Sequence, residues 1–341
     1  MQQEQIQWEA NVWYLERLHL GKHRIDESKS LISISFMEVK EIQNREILQA
    51  YMKYELGITG QAVSTIVRRF VCIRNFIELL EQEKILAIHA TVAEVKKYAD
   101  GLRERGIQAK GFNERIFGIG HFYKFMEVKQ YITRMPFRIE YFQQKEVIVH
   151  HDRSVEETVY MEILKKLYLF PERLRCMFLH LWCLGLRASE VCTLKGNAYY
   201  QQGEDYWIQV YQVKMKNYKR IPIPQALYQI MKVYLKKHEI QPEEFIFKNS
   251  RGGACLYGTF RTQMIEACRE NKIANGEYLF QSHDYRHTVA TMFYDSHVSL
   301  QSIRDYLGHT YEEMTRQYID YMPQRLSLIH ISEPTRLGMI S

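Results

Sequence analysis

The stretch SHDYRHTVATMFYDSHVSLQSIRDYLGHTYEEMTRQY, residues 282–318, indicates both a local fold and a chemistry. His283 and Arg286 are three residues apart, and residues at that spacing share one face of a helix. Val289 and Met292 continue at helical spacing, which predicts a packed helix. The two basic side chains are therefore expected to point into the same volume.

A second helix is predicted to begin after Ser299, whose hydroxyl can cap the first turn. Gly308 follows its last apolar residue, where glycine accepts the left-handed conformation that ends a helix, and His309 comes next. Residues 310–313 have capping-box spacing, which predicts a third helix bearing Tyr318. Three helix ends would then present an arginine, two histidines and a tyrosine, which together suit phosphate chemistry.

This combination resembles the tyrosine recombinases, also called phage integrases. The second signature block of that family reads H-x-x-R, then L-G-H, then a nucleophilic tyrosine nine residues after that histidine. The chain matches the block without a gap at His283, Arg286, Leu307-Gly308-His309 and Tyr318. A single tyrosine would be uninformative, because the chain has 24 of them, and an H-x-x-R alone is common by chance.

The sequence GLRASEVCTLK, residues 185–195, resembles the first signature block of the same family. By that match Arg187 would bind the phosphate and Glu190 would orient a site residue. The alternative is a surface ion pair at i,i+3, which is common in helices. A strongly apolar predicted helix, residues 172–184, precedes the block and would hold Arg187 in one place.

Residues 206–213 and 220–223 alternate as two strands of a β-hairpin with a basic turn. The resemblance implies a catalytic lysine here, about eight residues before a proline in the return strand. Aligning Pro222 to that proline selects Lys214, whereas aligning Pro224 selects Lys216; we predict Lys214. The turn could instead be solvated and touch only the DNA backbone, a role also assigned to Lys216, Lys219 and Arg220.

The resemblance implies strand cleavage and rejoining without metal, ATP or any other cofactor. Tyr318 would attack a DNA phosphodiester and form a 3′-phosphotyrosine, with His283 accepting or positioning its proton. Lys214 would protonate the leaving 5′-oxygen. The two arginines of the signature blocks and His309 would bind the non-bridging oxygens, because a guanidinium offers two parallel donors to an oxyanion.

The expected fold class is mainly α (α+β), with a helical bundle before a mostly helical catalytic domain that contains a small antiparallel sheet. Helices are predicted at residues 42–56, 61–83, 92–105 and 113–128. This bundle resembles the core-binding domain of the family. The predicted divisions are an N-terminal extension (1–40), the core-binding domain (41–138), a linker (139–153), the catalytic domain (154–325) and a probable adapter-derived, non-native tail (326–341).

Three arginines of the predicted second helix lie away from its apolar stripe or on its flanks. Arg68 is on the opposite face, and Arg69 and Arg74 are on the flanks. All three are candidates for contacts with the DNA backbone.

Composition permits this interpretation without demanding it. Lys and Arg number 46 against 40 Asp and Glu, an excess compatible with nucleic-acid binding. No membrane span or secretion signal is predicted, and the six cysteines lack C-x-x-C spacing, so a cytoplasmic protein is expected. The resemblance to DNA recombinases implies that it is nucleoid-associated.

The resemblance implies double-stranded DNA attachment sites as partners, a homotetramer on two duplexes and an accessory directionality factor. The function predicted is site-specific recombination that integrates or excises a mobile element. The alternatives are a topoisomerase-like enzyme that nicks and reseals DNA, and a DNA-binding protein without catalysis.

Overall fold

The computed structural model describes residues 8–147, 153–212, 215–311 and 314–316. The chain divides into two compact units. The first contains residues 1–26 and 30–148, and the second contains residues 27–29 and 149–341.

The first unit is a helical bundle with one short hairpin. Strands β1 (Val12–Tyr14) and β2 (Ser33–Ser35) pair antiparallel. The helices are α1 (Ile42–Ile58), α2 (Val63–Gln82), α3 (Val92–Glu104) and α4 (Ala109–Val128). Helix α3 begins with the capping box between Thr91 and Glu94 that its sequence predicts.

The hydrophobic core of this unit also includes residues on both sides of the four helices. Trp13 and Phe36 of the hairpin are buried in the same core as the helices, and so is Phe142. The backbone N–H of Gln144 donates to Oδ1 of Asn113, at 2.9 Å. Residues predicted as an extension and as part of a linker therefore pack with the bundle, and the predicted domain boundaries stay a prediction.

The second unit is mostly helical and contains a three-stranded antiparallel sheet. Its strands, in spatial order, are β3 (Tyr199–Gln202), β4 (Asp205–Gln212) and β5 (Asn217–Pro222). Its helices are α5 (Glu157–Lys166), α6 (Glu172–Leu184), α7 (Ala188–Cys192), α8 (Gln225–Lys237), α9 (Tyr257–Glu270), α10 (Ser282–Asp295) and α11 (Leu300–Leu307). The prediction of a mainly α fold with a small antiparallel sheet is confirmed.

Helices α6 and α10 pack together at the centre of the second unit. Tyr285 of α10 is fully buried, with its ring edge-on to Phe178 of α6 and 5.4 Å from that of Phe280. This packing holds α10 against the end of α6, where the first signature block begins. Among the helices that the structure describes, none has both the length and the apolarity needed to cross a bilayer.

Candidate active site

Arg187 is positioned by the junction between α6 and α7. Gly185 ends α6 with a left-handed φ of 59°, and Arg187 is the residue that precedes the first turn of α7. The carboxylate of Glu190 folds back onto it. Oε2 accepts from the backbone N–H of Arg187 at 2.8 Å, and Oε1 accepts from the guanidinium at 2.8 Å. The Arg187 side chain stays 18% exposed, so a ligand can reach it.

Glu190 is a buried anion at the base of the site, with 3% of its side chain exposed. Burial alone would raise the pKa of its carboxyl group. The guanidinium groups of Arg286 and Arg187 and the hydrogen bonds from Arg187 outweigh this effect, so the pKa is lowered. Glu190 is therefore ionised at neutral pH, and its single negative charge interacts with both arginines.

Arg286 is almost completely buried, at 1% exposure, and is held by two helix ends. Its NH1 group donates to the carbonyl of Gly185 at 2.8 Å, and NH2 donates to the carbonyl of Leu307. These carbonyls lie at the C-termini of α6 and α11, where the partial negative charge of a helix stabilises a cation. The two signature blocks thus meet at one guanidinium.

His309 is buried beside Arg286 and has a defined tautomer. Its Nε2 lies 3.2 Å from NH2 of Arg286, and its Nδ1 lies 3.0 Å from Oγ1 of Thr315. A guanidinium can only donate, so Nε2 accepts and Nδ1 carries the proton. Burial, reinforced by the positive charges of Arg286, Arg187 and Lys219, lowers the pKa of His309 to about 3. The imidazole is therefore neutral at physiological pH.

The β4–β5 hairpin reaches the same place. Nε2 of Gln212, at the end of β4, donates to Oε1 of Glu190 at 3.2 Å. Within the turn, Sδ of Met215 accepts from the hydroxyl of Thr310 at 3.4 Å. Lys214 lies outside the described residues, but a described residue on each side of it contacts the site.

Gly308 is required where the hairpin approaches the end of α11. It has a φ of 67°, and a Cβ atom added there would lie 2.6 Å from Nε2 of Gln212. Glycine is the residue that tolerates both this conformation and this close approach. The predicted helix end at Gly308 is confirmed, as is the Ser299 cap, whose hydroxyl accepts from the N–H of Ser302.

The three cations predicted to touch the DNA backbone from the hairpin occupy different positions. Lys216 is exposed in the turn with a φ of 53°, and Nε of Arg220 donates to Gln209 across the sheet at 3.2 Å. Lys219 instead faces inward, with its Nζ 4.9 Å from the ring centroid of Tyr306.

The remaining residues of the second signature block are only partly described. His283 is exposed on α10, and its ring centroid lies 5.1 Å from that of His287. Its charge is among those that lower the pKa of His309. Tyr318 lies outside the described residues, but Thr315, three positions earlier, is buried against His309.

The arginines of α2 have carboxylate partners within the bundle. Arg69 pairs with Glu55 at 2.8 Å and is 14% exposed. Arg74 lies within 3.4 Å of Glu38 and Glu78, whereas Arg68 pairs with Glu114 and is 61% exposed. Of the three, Arg68 is the most accessible to DNA and Arg69 is the least.

Sequence reasoning did not identify Gln212, Thr315 or the two carbonyls that bind Arg286. The strict alternation of β4 would have placed Gln212 inward, beside Ile208 and Val210. No local pattern marks the carbonyls, because Arg286 is remote from them in sequence. Thr315 is only six residues from His309, but no sequence motif marks that pair.

Comparison with known proteins agrees with this geometry. Residues 153–325 match the model of the phage integrase family. The match covers half of the chain, and the chain belongs to this family.

Relatives of this chain include a transposon transposase and tyrosine recombinases. Transposase B from transposon Tn554 of Staphylococcus aureus is 24% identical over 330 residues, which cover 94% of this chain and 52% of that protein. Tyrosine recombinase XerC of Bacillus licheniformis is 23% identical over 86% of this chain and 95% of that one. The chain thus spans about half the length of the Tn554 transposase.

Solved structures show the same fold. The XerH site-specific recombinase bound to its difH substrate superposes with a TM-score of 0.61, covering 87% of this chain and 99% of that one at 13% identity. A lambda integrase fragment, residues 75–356, bound as a dimer to a core site gives 0.60, covering 87% and 98% at 18% identity.

Proposed function

We propose that this chain is a site-specific DNA recombinase of a mobile genetic element, which cuts and rejoins strands through a 3′-phosphotyrosine. The observation that carries the proposal is the convergence of Arg187, Arg286 and His309. These residues come from separate elements and are linked through Glu190 and the carbonyl of Gly185. A lone anion-binding arginine would not need this arrangement.

The arrangement suits a phosphorane-like transition state. The Arg187 guanidinium would donate to the non-bridging oxygens, and Arg286 would supply positive charge from a fixed position. A preorganised donor aimed at developing charge is worth roughly 3–4 kcal/mol. The Nδ1 proton of His309 is donated to Thr315, so His309 would donate to a phosphate oxygen only after Nε2 takes a proton from solvent, a protonation that the negative charge of a bound phosphate would favour.

Tyr318, His283 and Lys214 would perform the proton and covalent chemistry. The Tyr318 hydroxyl attacks phosphorus, its proton passes to His283, and the 5′-oxygen leaves with a proton from Lys214. The phosphotyrosine bond keeps the energy of the broken phosphodiester, so religation of the DNA strand needs no ATP. Lys216 is the alternative to Lys214.

The partner is duplex DNA, a proposal supported by relatives whose structures contain DNA. Homotetramer formation on two duplexes, an accessory directionality factor and a nucleoid location follow from the resemblance to the family. Binding should rest mainly on phosphate contacts and weaken steeply with salt.

Covalent trapping on a nicked duplex from the end of the element tests the function. The wild type should give an adduct on a denaturing gel, and the Tyr318→Phe variant should give none. Supercoil relaxation without recombinant products would indicate a topoisomerase-like enzyme. DNA binding without any adduct would contradict an active recombinase.

A further inference from the structure

The register of the hairpin separates Lys219 from its basic neighbours. Lys219 lies directly opposite Val210, and Ile221 lies opposite Ile208. Residues opposite each other in an antiparallel pair project to the same face of the sheet. Val210, Ile208 and Ile221 are all buried, so Lys219 lies on the face that packs against the core.

The Lys219 side chain extends from this face toward the candidate active site. Its Nζ lies over the ring of Tyr306 in α11, at 4.9 Å from the centroid, a cation–π distance. Tyr306 lies three residues before His309 in the chain, and the Lys219 charge acts on that imidazole. The ammonium group is thus held at the wall formed by the end of α11.

The charged groups around Lys219 come from every side of the site. Arg286 of α10 and Arg187 before α7 repel its charge, whereas Glu190 of α7 attracts it. His309 is neutral, and burial raises the pKa of the Tyr306 phenol to about 12, so that it is neutral as well. Burial, with Arg286, lowers the pKa of Lys219 to about 7. Two arginines and one carboxylate leave an excess of positive charge, which an anion would relieve.

We propose that Lys219 is a further catalytic residue, which donates a hydrogen bond to a non-bridging oxygen of the scissile phosphate. It acts beside Arg187 and is distinct from Lys214, the proton donor of the proposed function on which this inference rests. An arriving phosphate would favour the ammonium form of Lys219, so the amine would become a full cation as the substrate binds.

The test is the single-turnover rate of adduct formation by the full chain on a nicked duplex, with either a normal or a methylphosphonate scissile linkage. The methyl group removes the negative charge that Lys219 is proposed to neutralise. The variants are Lys219→Met, Lys219→Arg and Lys236→Met, the last removing an exposed lysine of α8. Duplex affinity is measured in parallel by fluorescence anisotropy.

Lys219→Met should slow cleavage of the normal duplex by about 10²–10³-fold, the usual effect of removing one oxyanion donor. The loss should fall below about tenfold on the methylphosphonate, where no charge needs neutralising. Lys219→Arg should retain most of the rate, and Lys236→Met all of it. Duplex affinity should change little, because one phosphate among many is affected.

Two results would overturn the role of Lys219 alone while the wild type forms adduct. One is a Lys219→Met rate within threefold of the wild type. The other is an equal loss on both substrates, which would indicate a structural role. If the wild type bound the duplex and formed no adduct, the proposed function and the role of Lys219 would fail together.

Discussion

Oγ1 of Thr315 lies 3.0 Å from Nδ1 of His309, where the hydroxyl accepts the proton that the Arg286 contact assigns to that nitrogen. Thr315 is fully buried and precedes the predicted nucleophile by three residues. Thr315, which precedes Tyr318 in the sequence, and His309 are therefore joined by a hydrogen bond.

Thr315→Val should slow adduct formation by about five- to tenfold, because a neutral hydrogen bond contributes about 1 kcal/mol and valine keeps the shape. The histidine would also lose the acceptor for its Nδ1 proton. Nitrogen NMR of His309 should still show the Nδ1-protonated tautomer, because Arg286 continues to donate to Nε2. Thr315→Ser is the matched control, and equal rates for the two variants would argue against this role.

Glu190→Gln should destabilise the protein by about 3–5 kcal/mol at pH 7, the usual cost of removing one partner from a buried charge network. The folded pKa of Glu190 lies below its ordinary 4.5. Its stabilisation is therefore fully present above pH 4.5 and is lost as the pH falls through the folded value.

Urea unfolding of the wild type and Glu190→Gln at several pH values measures this difference. The difference in unfolding free energy between the wild type and Glu190→Gln should be constant near neutrality and should become smaller below pH 4.5. A gap that stays unchanged down to pH 3 would show that the carboxylate charge is not what stabilises the site.

Lys219 should affect stability in the alkaline range. Its folded pKa of about 7 lies below the ordinary 10.5, so the unfolded chain binds the proton more tightly between these values. The wild type should therefore gain stability relative to Lys219→Met as the pH rises from 7 to 10. Thermal unfolding of both proteins across this range checks the sign, and a constant difference would contradict the burial of the amine.

Gly308→Ala should lower the free energy of unfolding more than Gly203→Ala does. Both glycines have left-handed φ angles, 67° and 62°, so each variant bears a backbone penalty of roughly 1–2 kcal/mol. Only at Gly308 does the new Cβ meet a neighbour, Nε2 of Gln212 at 2.6 Å. Gly308→Ala should also displace Gln212 from Glu190 and reduce adduct formation, whereas Gly203→Ala should cleave normally.

Arg69→Ala should mainly reduce the stability of the protein, whereas Arg68→Ala should mainly affect DNA binding. Removing Arg69 leaves the buried Glu55 without its ion-pair partner and should cost about 3–5 kcal/mol of unfolding free energy. Arg68 is exposed, so its loss should cost about 0–1 kcal/mol. If Arg68 contacts a phosphate, Arg68→Ala should also reduce the salt dependence of duplex binding by about one unit of slope.

Anisotropy titrations of Arg68→Ala at several salt concentrations, with urea unfolding of both variants, measure these effects. If the salt dependence of duplex binding is the same for Arg68→Ala and the wild type, Arg68 does not contact a DNA phosphate.

Most of the helices, several helix ends and the resemblance to the phage integrases follow from local sequence patterns. Apolar spacing and the residues Thr91, Ser299, Gly185 and Gly308 act over a few positions, so helix bounds are encoded locally. The signature spacings of Arg187, Arg286 and His309 were likewise legible as a pattern. Lys216, Lys219 and Arg220 were predicted to share one role, because a run of basic residues does not show which face of the sheet each side chain occupies.

Which groups hold the candidate site together depends on how the elements pack. The carbonyls of Gly185 and Leu307 bind Arg286 across about a hundred and about twenty positions of chain, and Gln212 meets Glu190 from another element. The β4–β5 register turned Lys219 inward and Arg220 outward. These contacts depend on how elements pack, and packing is a property of the whole core that no short stretch of sequence specifies.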